Sequence, residues 1–179
     1  MKYETWMTHV QDGIESTLAN LNLKDISGLA KRIHRAKRIF LMGSGRTGLV
    51  VEMFAMRLAQ LGLQVFIVSG STTPALEKID LLILVSGSGE TEPILSAASK
   101  ASKIGAETFV VTQNEESSLG KLVQDPFIVP SPSENTKVLN GTLFEMALLI
   151  SLDAVVAELL TLTGQKFEDM SIRHANIGQ

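Results

Sequence analysis

Two short segments of the chain combine glycine with hydroxyl side chains, and each follows an apolar run. Residues 86–91 read Ser-Gly-Ser-Gly-Glu-Thr after the apolar run 81–85, and residues 43–48 read Gly-Ser-Gly-Arg-Thr-Gly after the run 39–42. Small residues let backbone N–H groups approach a ligand closely, and a helix that begins there adds the positive end of its dipole. Both segments therefore favour binding of an anion, above all a phosphate.

Hydroxyl side chains and glycine backbone from both segments are the expected phosphate ligands. A plain strand-to-helix turn with an N-cap serine would explain one such segment alone. Because two similar segments occur, we prefer a phosphate site. The predicted ligands are Ser44, Gly45, Thr47, Ser86, Gly87, Ser88 and Thr91.

The first segment also matches the G-x-G-x-x-G pattern of dinucleotide-binding sites, with glycines at 43, 45 and 48. Such a site usually has an acidic residue at the end of the second strand, which holds the ribose. Here the second predicted strand ends in Val68-Ser69-Gly70, without an acid or an arginine. A dinucleotide would also leave residues 86–91 without a function, so a phosphorylated small metabolite is the better prediction.

Alternating apolar runs and helical periodicities predict the elements that position these segments. Strands alternating with helices indicate a parallel sheet with helices on both faces, whose ligands bind at the carboxyl ends of the strands. The strands are predicted at 38–42, 64–68, 81–85, 107–112 and 127–129. The helices between them are predicted at 50–61, 90–104 and 117–123.

Further helices are predicted on either side of this sheet. Two precede it, at 3–21 and from a cap at Asp25 or Ser27 to about residue 36. Residues 141–162 form a long helix that is apolar almost all round but carries three acidic residues, so we do not expect a membrane span. A helix of this kind must be buried on most faces. Because a small domain can hardly cover it alone, we predict an oligomer with this helix at or near the interface.

Length and composition indicate one domain of 179 residues. We divide 1–179 into N-terminal helices (1–36), a parallel α/β core (37–130) and a C-terminal helix and tail (140–179). The net charge of -3 and the lack of a basic block give no support for a nucleic-acid partner. The chain has no cysteine and no apolar leader at its N-terminus, which fits a cytoplasmic protein.

Six segments together resemble the motifs of a known family. They are GSGRTG at 43–48, AMRL at 55–58, TTP at 72–74, DLLILVSGSGETE at 80–92, GTLFE at 141–145 and RHAN at 173–176. Through them the chain resembles the SIS (sugar isomerase) family over nearly its whole length. The resemblance implies a flavodoxin-like α/β three-layer sandwich with a five-stranded parallel sheet, no metal or organic cofactor, and commonly a tetramer. It also implies isomerisation of a sugar phosphate, most closely between D-arabino-3-hexulose 6-phosphate and fructose 6-phosphate.

Two catalytic residues follow from this resemblance. Moving a carbonyl from C3 to C2 requires a base that removes the C2 proton, and a partly desolvated carboxylate suits that task. GTLFE resembles the base-bearing motif of the family, so Glu145 is the expected base; otherwise it complements the helix dipole. RHAN implies that His174 moves protons between sugar oxygens or assists ring opening, and in the family such a histidine can come from a neighbouring subunit. Its alternative is an exposed residue of the tail.

Three further residues complete the predicted site. Arg46 can reach the phosphate or stabilise the enediolate, and Thr72 and Thr73 can line the sugar side of the pocket. Each can equally be a surface or turn residue without a function. Two alternatives to this reaction are another sugar-phosphate isomerase of the family and a non-catalytic sugar-phosphate sensor. Such sensors usually carry an attached domain, for which we expect no room here.

Overall fold

The computed structural model describes residues 2–131 and 138–176, and these ranges contain a five-stranded sheet and six α-helices. Parts of the predicted loop before residue 140 and of the predicted tail, 132–137 and 177–179, lie outside them. The strands are β1 (Ile39–Met42), β2 (Val65–Ile67), β3 (Leu81–Val85), β4 (Glu107–Thr112) and β5 (Phe127–Ile128). The helices are α1 (Tyr3–Ala19), α2 (Leu23–Arg35), α3 (Gly45–Gln60), α4 (Glu92–Ile104), α5 (Thr142–Thr163) and α6 (Phe167–Ile172).

All five strands are parallel, in the order β2-β1-β3-β4-β5. The chain leaves β1 through α3 toward one edge of the sheet and leaves β3 through α4 toward the other. Right-handed crossovers in opposite directions place the two helices on opposite faces. This is the predicted flavodoxin-like arrangement, whose strand order reverses between β1 and β3.

Alternate residues of the central strands enter two separate cores. Ile39 and Ile83 face the layer formed by α2, α3 and α5, whereas Phe40 and Leu82 face α4. All five positions of β3 are buried. A continuous apolar run is the pattern expected of a strand that is covered on both faces.

The long helix α5 is the centre of the thicker layer and packs against α1, α2 and α3. Gly13 of α1 approaches it closely, since a Cβ at Gly13 would lie 2.7 Å from the Leu143 side chain. The expectation that one domain can hardly cover this helix was therefore wrong, because its own three neighbours bury most of it. Met146 and Ile150 remain 40% and 46% exposed. None of the helices in the described ranges is long and apolar enough to span a membrane.

The predicted cap of α2 was also wrong. Asn22 is the N-cap, and its side-chain oxygen accepts a hydrogen bond from the backbone N–H of Lys24 at 3.2 Å. Asp25 accepts from the Asn22 amide at 2.8 Å, and Ser27 donates to the Lys24 carbonyl. The helix thus begins before both predicted caps. At 117–123 only the turn Gly120–Leu122 is helical, and it is a 3-10 turn.

Helix α3 begins five residues earlier than predicted, at Gly45 rather than residue 50. A Cβ at Gly43 would lie 3.0 Å from the Cα of Gly48, so these two glycines let the end of β1 and the start of α3 touch. Their spacing therefore has a packing reason in this chain that requires no dinucleotide.

A buried ion pair joins the amino ends of β1 and β3. The Asp80 side chain is fully buried, and Arg38 donates to both of its oxygens, from Nε at 2.8 Å and Nη2 at 2.6 Å. The backbone N–H of Glu77 donates to Asp80 Oδ2 at 2.6 Å. The bonds from Arg38 hold the pKa of Asp80 below its usual value, although burial acts in the opposite direction.

Candidate functional site

A cleft of about 340 Å³ opens at the carboxyl edge of the sheet, beside the ends of β1 and β3. Its position is the one expected for a ligand site, because the strand order reverses between these two strands. Gly45 directly follows the cleft residue Ser44 as the first residue of α3. The structure thus brings both predicted segments together. Their residues in the cleft wall are Ser44, Thr47, Ser86, Gly87, Ser88 and Thr91.

Three helices of the described ranges begin at this cleft. Ser44 precedes α3, Thr91 precedes α4 and Gly141 precedes α5, and all three residues line it. The first turn of a helix has N–H groups without intrahelical acceptors and carries the positive end of the dipole. Neither Ser44 nor Thr91 caps its own helix through its side chain. The convergence of these three helix ends favours the binding of an anion in the cleft.

Hydroxyl groups fix the shape of the loop after β3. Ser86 Oγ lies 2.8 Å from Thr91 Oγ1 and accepts the backbone N–H of Gly89 at 3.1 Å. Ser88 Oγ accepts a backbone N–H two residues further on, at 3.2 Å. These bonds give the loop a defined conformation, in which the hydroxyls of Ser86 and Thr91 face each other across the turn.

The same loop is tied to the segment that follows β4. The Glu90 carboxylate accepts the backbone N–H of Ser118 at 2.7 Å, and this bond lowers the pKa of Glu90. The backbone N–H of Gln113 donates to the Gly87 carbonyl at 3.2 Å. These contacts connect the two carboxyl ends of β3 and β4 into one wall of the cleft.

Glu145 lies in the first turn of α5, next to the cleft. It is only 7% exposed. Its Oε2 accepts a hydrogen bond from Arg46 Nε at 2.6 Å, and the Arg46 side chain is 64% exposed. The pair connects the beginnings of α3 and α5, so the two residues predicted to act on the sugar are held together next to the cleft residues Thr47 and Phe144.

Thr72 and Thr73 are not brought into this cleft. Thr73 donates its hydroxyl hydrogen bond to the backbone carbonyl of Ile67 and lines a separate cavity of about 270 Å³ on the α4 face of the sheet. Thr72 is exposed in the same loop. Their predicted contact with the sugar stays a prediction.

His174 is also distant from Glu145 within one chain. It is exposed after α6 and shares a groove with Arg57 and Asp153, whose side chains lie 3.6 Å apart. Asp153 lies eight residues beyond Glu145 on α5, which corresponds to about 12 Å along a helix. The predicted role of His174 in proton transfer stays a prediction.

Six cleft residues were not predicted as site residues, namely Val85, Ile94, Gln113, Asn140, Gly141 and Phe144. Gln113 follows β4 at the same sheet edge, so the rule that located the other loops also applies to it. Gly141 and Phe144 precede Glu145 in the GTLFE segment, from which only Glu145 was predicted as a site residue. Nothing in the sequence distinguishes Asn140 from the other polar residues of the loop before it. Across 2–131 and 138–176, no three His, Asp or Glu side chains gather as metal ligands would.

The fold and the cleft define a parallel α/β protein with a hydroxyl-lined cleft at the reversal of its strand order. The sequence pattern of the SIS domain matches residues 32–157. The chain therefore belongs to the SIS family.

Named relatives cover nearly all of the chain. A 3-hexulose-6-phosphate isomerase of Bacillus subtilis is 34% identical over 99% of this chain and 100% of its own length. One from Mycobacterium gastri is 35% identical over 94% of this chain and 87% of its own length. A crystal structure of a protein from Methanococcus jannaschii matches with a TM-score of 0.84 and 32% identity, over 93% of this chain and 98% of its own. A molecular function of 3-hexulose-6-phosphate isomerase was inferred for that protein from its structure. The protein is an isomerase.

Proposed function

We propose that the protein is a 6-phospho-3-hexuloisomerase, which interconverts D-arabino-3-hexulose 6-phosphate and D-fructose 6-phosphate. The observation that carries the proposal is a nearly buried carboxylate, Glu145, beside a cleft where three helix N-termini meet. Relatives that carry this name and align along almost the whole chain support it. We further propose a cytoplasmic location and a place in the ribulose monophosphate pathway, where formaldehyde is assimilated.

The phosphate end of the sugar binds in the cleft. The hydroxyls of Ser44, Ser86, Ser88 and Thr91 and the first-turn N–H groups of α3 and α4 surround it. The sugar chain then extends toward the start of α5, where Gly141 and Phe144 belong to the cleft wall. This orientation places the carbonyl end of the substrate next to Glu145.

The reaction transfers a proton between neighbouring carbons. Glu145 removes the proton at C2, the electrons of the broken C–H bond form a C2=C3 double bond, and the former C3 carbonyl oxygen becomes negative. The proton of the C2 hydroxyl is transferred to the C3 oxygen, which is the step we assign to His174. Glu145 then returns its proton to C3, which leaves a carbonyl at C2 and a hydroxyl at C3. The positive charge of Arg46, which lies against Glu145, stabilises the enediolate oxygen as its charge develops.

We propose a homo-oligomer, a tetramer, whose subunits meet on the exposed apolar face of α3 and α5. Glu145 lies near one end of this face and His174 at the other, beside Asp153. A two-fold contact with antiparallel helices brings the two ends together, so the partner subunit's His174 approaches Glu145. The apolar residues of this face are Leu49, Met53, Met56, Met146 and Ile150.

The test is an assay on substrate made in place from ribulose 5-phosphate and formaldehyde with a synthase, with fructose 6-phosphate as the measured product. We expect rapid turnover by the wild type and a loss in kcat of about 10²- to 10⁴-fold in Glu145→Gln, because the variant lacks the general base. Glu158→Gln makes the same change further along α5 and should keep its activity.

Each other outcome has a defined meaning. Turnover that survives Glu145→Gln would keep the reaction but remove its base. No turnover by well-folded wild type would rule out this substrate, and arabinose, ribulose and heptulose phosphates would be assayed next.

A further inference from the structure

Gly141 and the Glu145 carboxylate lie against each other at the start of α5. Gly141 is the N-cap of the helix and has a left-handed backbone, with φ +85°. A Cβ at Gly141 would lie 3.2 Å from Glu145 Oε1 and 3.6 Å from Cδ. The carboxylate thus occupies space that a side chain at position 141 would need.

The two oxygens of Glu145 have different surroundings. Oε2 is bound by Arg46 Nε at 2.6 Å. Oε1 lies next to Gly141, which is itself part of the cleft wall. No hydrogen bond reaches Oε1 from any residue that the structure describes.

We propose that Gly141 is a positioning residue for Glu145 and that Oε1 is the oxygen that exchanges the proton. Because Gly141 has no side chain, Oε1 stays beside the cleft while Arg46 holds Oε2. A methyl group at position 141 would push the carboxylate by a few tenths of an ångström away from its present place beside the cleft and toward Arg46. This inference rests on the proposed function of the site.

A left-handed backbone by itself favours glycine. The cost of the backbone conformation at Gly141 must therefore be separated from the cost of a contact with Glu145. The same helix provides the control. Gly164 at the other end of α5 has φ +67°, and a Cβ there would meet nothing within 4 Å. Gly164→Ala therefore introduces comparable backbone strain without a contact to Glu145, and the difference between the two alanine variants isolates that contact.

We expect Gly141→Ala and Gly164→Ala to lower the melting temperature by similar amounts. Only Gly141→Ala should lower kcat, by about tenfold, because a small misplacement of a catalytic group is costly. Its KM should stay within about twofold of the wild type, since the phosphate site is unchanged. Equal kcat values in the two variants would overturn the proposal, as would a raised KM with unchanged kcat, which would mean that the methyl group merely obstructs the substrate.

A double variant tests whether the effect passes through Glu145. Gly141→Ala introduced into Glu145→Gln should cause no further loss of kcat, because the group that Gly141 positions is already absent. A further loss of the full tenfold size would show that Gly141 acts independently of Glu145 and would overturn the proposal.

Crystal structures of the two alanine variants give a readout that does not depend on turnover. We expect the Glu145 carboxylate to move in Gly141→Ala and to stay in place in Gly164→Ala. If the wild type fails to isomerise the hexulose phosphate but the carboxylate moves as expected, the proposed reaction fails and the positioning stands. If the carboxylate does not move, the positioning fails whatever the reaction.

Discussion

At the level of single residues, the hydroxyls of the cleft have two structural settings. Ser86 and Thr91 bond to each other and hold the loop after β3, whereas Ser44 does not cap its helix through its side chain. The hydroxyls of this loop thus hold the shape of the cleft, and they also line the place where we propose that the phosphate binds. Removing one of them should therefore affect phosphate binding more than the chemical step.

Thr91→Val tests this distinction, since valine keeps the shape of threonine and removes the hydroxyl. We expect KM for the sugar phosphate to rise about ten- to hundredfold, because a hydrogen bond to a charged group contributes about 1.5–3 kcal/mol. The value of kcat should change little. Steady-state kinetics measure both quantities. Thr161→Val, at an exposed position near the far end of α5, is the control, and an unchanged KM in Thr91→Val would exclude its role.

The sequence predicted the hydroxyls of the cleft because the topology of the sheet decides their position. Ser44 and Ser86 follow two buried central strands whose carboxyl ends must be neighbours. Thr73 follows the short edge strand β2, where its bond to a backbone carbonyl determines its direction. That local bond leaves no periodic signal in the sequence. The contact of Gly141 with Glu145 depends on one backbone angle and could not be predicted from the sequence either.

At the level of elements, the strands were predicted to within one residue, as were the starts of α1 and α5, but the starts of α2, α3 and α4 were missed by two residues or more. Strands β1 and β3 are apolar runs with clear limits, because they are covered on both faces. Helix α3 starts with a glycine-rich turn that has a low helix propensity, and close packing of Gly43 on Gly48 decides its start instead. Tertiary contact overrides local preference at this point.

The ion pair at the amino ends of the strands should contribute to stability. Asp80→Asn removes the carboxylate that binds Arg38 through both oxygens and leaves Arg38 only the more exposed Glu77, 3.1 Å away. Breaking a fully buried pair typically costs about 3–5 kcal/mol. Because Arg38 is 17% exposed, we expect a smaller loss of about 2 kcal/mol in the free energy of unfolding. Urea denaturation at pH 7 measures it. Asp153→Asn removes a surface pair with Arg57 and should change stability by less than about 1 kcal/mol.

Acid provides a second test of the same pair. The pKa of Asp80 is lower in the folded protein than its usual value of 3.8. The stabilisation that ionised Asp80 contributes to the fold is therefore fully present above pH 3.8. It is lost as the pH falls from 3.8 toward the lower pKa that Asp80 has in the folded protein. The difference in stability between wild type and Asp80→Asn should shrink over that interval. A difference that stays constant in acid would contradict the assignment.

At the level of the whole molecule, the proposed two-fold contact predicts that an active site uses two chains. Glu145→Gln and His174→Ala should each be inactive alone. When the two variants are unfolded and refolded together, mixed dimers combine one intact Glu145 with one intact His174, and about one quarter of the sites should be active. Isomerase activity of the refolded mixture is the measurement.

In the control experiment, each variant is unfolded and refolded separately. Different tags and native mass spectrometry establish that mixed oligomers have formed. If mixed oligomers form without a gain in activity, the sharing of sites fails. If His174→Ala is active alone, His174 has no catalytic role.

The coverage of the sheet by α5 has a consequence for biosynthesis. A ribosome delivers all five strands and both hydroxyl-rich loops before residue 142 emerges. Until then one face of the sheet, including Ile39 and Ile83, lacks its largest cover. A nascent chain that stalls before α5 therefore displays an exposed apolar surface and a cleft that lacks Glu145. Helix α5, which is followed only by the short α6, closes the core and adds the proposed base in the same event.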